Sequence, residues 1–286
     1  MTRTTSIEWT EHTWNPFVGC SILSAGCKNC YAMRMAHRCG EMGHDAYNGV
    51  AQSSKAGPVW TGQINRNSDS AMTAPLRRRK AAIFFVNSMS DFWHPNARDE
   101  WRHESFDVML ATPQHQYQVL TKRPDLIAPT LTRMGRSLPG NLWLGATVED
   151  ARVADRIDHL RAVPAAIRFL SVEPLIAPFG TPDLSGVDWV ITGGESGPKC
   201  RPCRGSWVRE IRDHIASRHP GIALFHKQWG HYKSNPLTHE DGFTEAEAEL
   251  LDPREFGKGG AHLDGELWRQ FPRYAPADNL WPLQSA

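Results

Sequence analysis

TWNPFVGCSILSAGCKNCYA, residues 13–32, decides how the chain is read. TWNPFV (13–18) predicts a short first strand, weakened by Pro16, which removes a ladder donor. Cys20, Cys27 and Cys30 follow at once, three of the six cysteines in the chain, separated by six and then two residues. Gly19 and Gly26 each precede a cysteine and let the backbone fold closely around a bound group. In a cytosolic chain, clustered thiols more often bind metal or do chemistry than form disulfides. Three readings compete. A structural zinc site wants four ligands, so it would need His12, His37 or Cys39 as well. A redox dithiol would use Cys27 and Cys30 and leave Cys20 idle. An iron–sulfur cluster is normally held by four Cys; three leave one iron open for chemistry.

Further along, short apolar runs end in polar clusters. AIFFV (82–86) leads to Asn87, Ser88, Ser90 and Asp91, and QYQVL (116–120) leads to Lys122 and Arg123. LWLGA (142–146) precedes Thr147 and Glu149, and IRFLS (167–171) precedes Glu173. DWVIT (188–192) leads to Gly193, Gly194, Glu195 and Ser196, and IALF (222–225) to His226 and Lys227. Runs with so little alternation predict strands buried on both faces, as in a parallel sheet. Helical spacing of apolar residues in 98–111, 150–162 and 207–216 places helices between them. The expected fold class is α/β, a full or partial (β/α) barrel of about six or seven units, with chemistry at the C-terminal strand ends. Residues 1–230 are assigned to the barrel. Residues 231–286, polar and turn-rich, are assigned to an irregular C-terminal extension packed on it, anchored by Trp268 and Phe271 and loose after 276.

The bulk composition bounds the function. Lys plus Arg is 32 and Asp plus Glu is 31, so the net charge is +1 with His neutral. That balance argues against a non-specific polyanion binder and leaves room for a local basic patch. The N-terminus has no signal-peptide apolar run, and no stretch reaches the roughly 20 apolar residues of a membrane helix. A cytoplasmic protein with no membrane partner is expected.

Several motifs give the chain a family likeness: WTEHTWNPFVGC (9–20), CKNCYA (27–32), FVNSMSDFWH (85–94), LTKRP (120–124), LGATVED (144–150), SVEPL (171–175), GGESGPKCRP (193–202), KQWG (227–230) and LDGELWRQFP (263–272). With them the chain resembles radical S-adenosylmethionine (SAM) enzymes, and more closely a bacterial and phage-associated family of radical-SAM-like proteins. Within radical SAM enzymes that family is similar to spore photoproduct lyase, which repairs thymine dimers in DNA. One feature departs from the common pattern. Radical SAM enzymes usually show CxxxCxxC, whereas this chain has CxxxxxxCxxC, a first loop three residues longer.

The resemblance implies that Cys20, Cys27 and Cys30 hold a 4Fe-4S cluster and that SAM chelates the fourth iron. One electron, from a donor such as flavodoxin or ferredoxin, would cleave SAM to methionine and a 5′-deoxyadenosyl radical that abstracts hydrogen from the substrate. It implies Asn87, Ser88, Ser90 and Asp91 near the SAM amino group, and Thr147 and Glu149 near the ribose. Gly193, Gly194, Glu195 and Ser196 resemble a GGE element, but after the sixth strand rather than the second. A turn and a close backbone approach to a ligand are equal readings of that glycine pair.

Tyr31 lines the adenosine pocket, quenches a radical or simply packs. Cys200 and Cys203 form a second CxxC with too few ligands for a second cluster, and read as free thiols near the site. Tyr31 and Cys200 are the candidate catalytic side chains. Lys122, Arg123, Lys199 and Lys227 are candidate phosphate contacts, with Trp93, Trp229 and His226 as stacking platforms. Ordinary solvated charges and core aromatics are the plainer alternative. The expected function is a radical SAM enzyme, a lyase acting on DNA photoproducts or an enzyme modifying a nucleotide. Two alternatives are a non-catalytic nucleic-acid-binding protein with a structural iron–sulfur or zinc site, and a radical SAM enzyme acting on a peptide or small metabolite.

Overall fold

The computed structural model describes residues 3–197, 199–240, 244 and 259–273. Pro16 divides the first apolar run. His12–Trp14 (β1) enters the main sheet, while Phe17–Val18 turns away and pairs antiparallel with Asn65–Arg66. Six further parallel strands follow: Ile83–Val86 (β2), Gln116–Thr121 (β3), Leu142–Thr147 (β4), Ile167–Val172 (β5), Trp189–Thr192 (β6) and Ala223–His226 (β7). Each lies within one residue of its expected bounds. They pair in chain order, with Arg3–Thr4 added antiparallel beside β1. The sheet stays open between its edges, so the architecture is a partial (β/α) barrel.

Alternation along the strands explains their unbroken apolar runs. Phe84, Tyr117, Leu144, Leu170, Val190 and Leu224 face the helices. Phe85, Trp143, Phe169, Trp189, Ile191 and Phe225 fill the concave face, where Trp9 from the N-terminal segment joins them. The Trp9 ring lies 4.8 Å from Phe85 and 6.3 Å from both Phe169 and Trp189. A sheet buried on both faces needs this pattern.

The outer helices include Asp99–Leu110 and Arg156–Arg161, within the expected segments, and Gly205–Arg218, which extends the expected 207–216 by two residues at each end. A fourth, Ile127–Met134, and a fifth, Tyr31–Glu41 (α1), were not read from the sequence. α1 follows Cys30 directly and buries Ala32, Met33 and Ala36, a stripe too small and too interrupted by Arg and His to stand out. Trp268–Phe271 lies along β7. His226 N–H donates to Trp268 O at 2.7 Å, and Phe271 packs 5.2 Å from Trp189. The expected loose end after 276 lies outside the described residues. Among the described residues no helix is long and apolar enough to cross a membrane.

Candidate active site

The loop after β1 crosses the C-terminal ends of the parallel strands. There it covers a cavity of about 240 Å³ whose walls include Cys20, Cys27 and Cys30. Cys39, Cys200 and Cys203 are not among its wall residues. Behind Cys20 the extra residues swing outward, leaving Ile22 and Leu23 about half exposed. A tight turn, Ala25–Cys27, then brings the second thiol back, and Cys30 sits at the start of α1.

Polar side chains from the strand exits hold this loop. After β2, Ser90 Oγ donates to Gly19 O at 2.6 Å. After β3, Arg123 Nη2 donates to Ser21 Oγ at 2.8 Å and to Ser21 O at 3.3 Å. Glu149, past β4, accepts from Gly26 N–H at 3.0 Å. Past β6, Glu195 accepts from Asn29 Nδ2 at 2.8 Å, and Arg201, paired with Glu195, donates to Ala25 O at 2.9 Å. A Cβ at Gly26 would stand 3.1 Å from the Glu149 carboxyl, tighter than ordinary contact, so a larger residue here would push on that carboxyl.

These contacts revise several sequence-based roles. Asp91 lines the cavity, but its carboxylate is engaged by protein: it accepts from Thr121 Oγ1, Trp93 N–H, Lys122 N–H and Arg123 Nη1, the last at 2.8 Å. Glu149 is 1% exposed, is bonded to Arg156 as well as Gly26, and is not among the cavity's wall residues. Hydrogen bonds and nearby cations outweigh burial and hold the carboxyls of both Glu149 and Glu195 below the usual range. Arg123 is buried at the cavity wall with its guanidinium paired to Asp91. Lys227 pairs with Glu173 at 2.7 Å. Trp93, Trp229 and His226 are buried and offer no face to a stacked base. A buried charge must be paired; Asp91 and Lys227 find their partners at other strand exits, Arg123 and Glu173. Gly194 supplies a close backbone approach, but to protein: a Cβ would lie 1.9 Å from Trp229 O. Gly193 stays in backbone pairing, accepting from Leu175 N–H at 2.9 Å. Cys200 stands half-buried away from the cavity wall, and Lys199 is exposed.

Other candidates line the cavity with polar atoms left unpaired or at its rim. Asn87 is 2% exposed, lines it, and has neither amide atom hydrogen-bonded. Its φ of 59° is a left-handed conformation that costs a non-glycine residue energy. Trp9 Nε1 is likewise buried without a partner, and Trp9 lines the same cavity. Strand alternation puts Phe85 and Asn87 on one face, stacking the amide above the aromatic floor. Thr147 and Lys122 line the wall with Lys122 Nζ 3.4 Å from Thr147 Oγ1. Ser88 shares Asn15 through its hydroxyl and accepts from Tyr31 O–H at 3.2 Å through its carbonyl. Ser196 is exposed at the rim.

The thiols suit a cation. Burial, then the Asp91 charge, pushes Cys20 up to about 12, with Cys27 adding to the rise. Burial raises Cys30 too, again with Cys27 contributing. Such thiols are protonated at neutral pH unless a metal replaces the proton. Among the described residues no three His, Cys, Asp or Glu side chains converge on one ion. A multi-iron cluster holds its thiolates further apart, and the donor set of three thiols around an open cavity fits it.

Two solved spore photoproduct lyase structures share this fold with a TM-score of 0.50, at 12% identity over 79% of each chain. Both are Cys-to-Ala mutants, and one holds a dinucleoside spore photoproduct. No curated protein matches the chain. The model of the family described as a protein of unknown function, DUF5131, matches residues 4–272, and the chain belongs to that family.

Proposed function

We propose that the chain is a radical SAM enzyme in which Cys20, Cys27 and Cys30 hold a 4Fe-4S cluster, and that its substrate is a nucleotide-sized group. The carrying observation is the placement of three thiols from one loop on a cavity at the C-terminal ends of a parallel sheet, with the other three cysteines elsewhere. When bound, the cluster would supply the electron for reductive cleavage of SAM and so generate a hydrogen-abstracting radical. The protein's part is binding, orientation and exclusion of water. Asn87 offers one donor group and one acceptor with no competing protein partner. Ile7, Trp60, Phe85 and Leu120 give the same cavity apolar walls. A second cavity of about 470 Å³ shares Tyr31, Ser88 and Ser196 with the first and gives room for a second ligand beside the cofactor.

A nucleotide substrate is supported by the dinucleoside in the similar fold. The internal pairing of Arg123, Arg201 and Lys227 favours a second reading, a small metabolite, because those cations are not displayed to a polyphosphate. The test is anaerobic incubation with SAM and dithionite, which stands in for the protein electron donor, with and without ultraviolet-irradiated oligonucleotide. Formation of 5′-deoxyadenosine, faster with the oligonucleotide, is expected. Equal rates with and without nucleic acid favour the metabolite, and no 5′-deoxyadenosine at all defeats the radical SAM reading.

A further inference from the structure

We infer that Ser21, Glu149 and Glu195 are positioning residues that keep the long Cys20–Cys27 loop in its cluster-binding shape before any metal arrives. The inference rests on the proposed cluster site. Its basis is how the three extra residues are accommodated.

An unsupported loop loses backbone entropy at each residue it fixes, roughly 1–2 kcal/mol. Ile22 and Leu23 project into solvent, 52% and 50% exposed, so the excess length leaves the site. The residues on either side of that excursion are tied down. Ser21 Oγ meets His94 Nε2 at 2.8 Å and Arg123 Nη2 at 2.8 Å. Ala25 O takes Arg201, Gly26 N–H takes Glu149, and Asn29 takes Glu195. Glu149 is itself fixed by Arg156 Nη1 at 2.8 Å. The anchors come from four different strand exits, so sheet register sets the thiol positions.

The hydrogen-bond directions assign a further role to Ser21. His94 Nδ1 accepts from Asn96 N–H at 3.1 Å, so Nε2 carries the proton and donates to Ser21 Oγ. Arg123 donates to the same oxygen. Ser21 Oγ therefore keeps its own hydrogen to give, and Ser21 lines the cavity beside Cys20. Its O–H is a donor to whatever the thiols hold.

Two measurements test this. First, metal-free protein is alkylated with iodoacetamide and each cysteine is followed by mass spectrometry. Glu149→Ala and Glu195→Ala should speed modification of Cys27 about ten-fold or more, as expected for loss of a charge-assisted hydrogen bond. Glu149→Gln keeps an acceptor for Gly26 N–H and should stay near wild type. Leu23→Ser, in the outward excursion, should change nothing. Second, iron and sulfide are added anaerobically and the reduced protein is examined by electron paramagnetic resonance. Ser21→Ala, with the Glu149 and Glu195 anchors in place, should still take up iron but shift the signal, which a purely structural serine would not do; an unshifted signal overturns the role of Ser21.

Equal alkylation rates in wild type, Glu149→Ala and Glu195→Ala overturn the inference. So does a Glu149→Gln variant as reactive as Glu149→Ala. If wild type takes up no iron and sulfide while the alkylation differences hold, the cluster reading fails and the prebuilt loop stands. If Glu149→Ala does not fold, Glu195→Ala and Glu149→Gln decide the first measurement.

Discussion

Glu149 and Gly26 lie 123 residues apart in the chain, and the Gly26 N–H donates to Glu149 Oε1 at 3.0 Å. The same geometry joins Asn29 to Glu195 at 2.8 Å. Carboxylates that a motif reading offers to a cofactor are therefore committed to the cysteine loop. The groups on the cavity wall with no protein hydrogen bond include the Asn87 amide and the Trp9 indole N–H, beside the three thiols.

The thiol set predicts a metal phenotype. Cys20→Ala, Cys27→Ala and Cys30→Ala should each lose the visible iron–sulfur absorption of anaerobically purified protein. Cys39→Ala, Cys200→Ala and Cys203→Ala should keep it. Full iron and sulfide in Cys27→Ala would remove the assignment.

Asn87 predicts a binding phenotype separate from metal. Asn87→Gly suits the left-handed backbone and removes only the amide. The cluster should remain, while SAM affinity falls about ten- to a hundred-fold, the equivalent of one hydrogen bond to a charged group. Equilibrium dialysis with labelled SAM reads it directly. Wild-type affinity would place the cofactor elsewhere in the cavity.

Arg123 predicts a stability phenotype. Arg123→Ala leaves Asp91 buried without its partner, which costs about 3–5 kcal/mol. Urea unfolding should show that loss, while the salt dependence of any nucleic-acid affinity stays at its wild-type slope. A shallower slope with unchanged stability would return Arg123 to the phosphate-binding role.

Two histidines set a pH window. Burial, then Arg269, holds His226 down to about 3, and burial, then Arg123, holds His94 to about 4. Both stay neutral in the fold while the unfolded chain protonates them below about 6.5. Their contribution is complete above pH 6.5 and is lost as pH falls toward those values, because the unfolded state binds more protons. From pH 7 to pH 5 the two together should remove on the order of 4 kcal/mol. Urea midpoints at the two pH values measure it, and His226→Gln should reduce the difference. Unchanged midpoints would contradict the burial of both rings as neutral species.

The sequence by itself determined the strands, because each is a local apolar run whose two faces must both be buried, and their order with helices between them implied the parallel sheet. It also determined the thiol trio, since all three cysteines fall in one short stretch after the first strand. α1 escaped because its buried stripe is three small or flexible residues among charges. Only the tertiary structure decided which strand-exit side chains face a ligand. In the sequence Asn87 and Asp91 are equivalent polar residues after one strand, four positions apart. Folding brings Arg123 and Thr121 to the Asp91 carboxylate and no protein partner to the Asn87 side-chain amide. A buried charge is stable only where a counter-charge reaches it, and that partner is fixed by the register of neighbouring strands rather than by any local pattern.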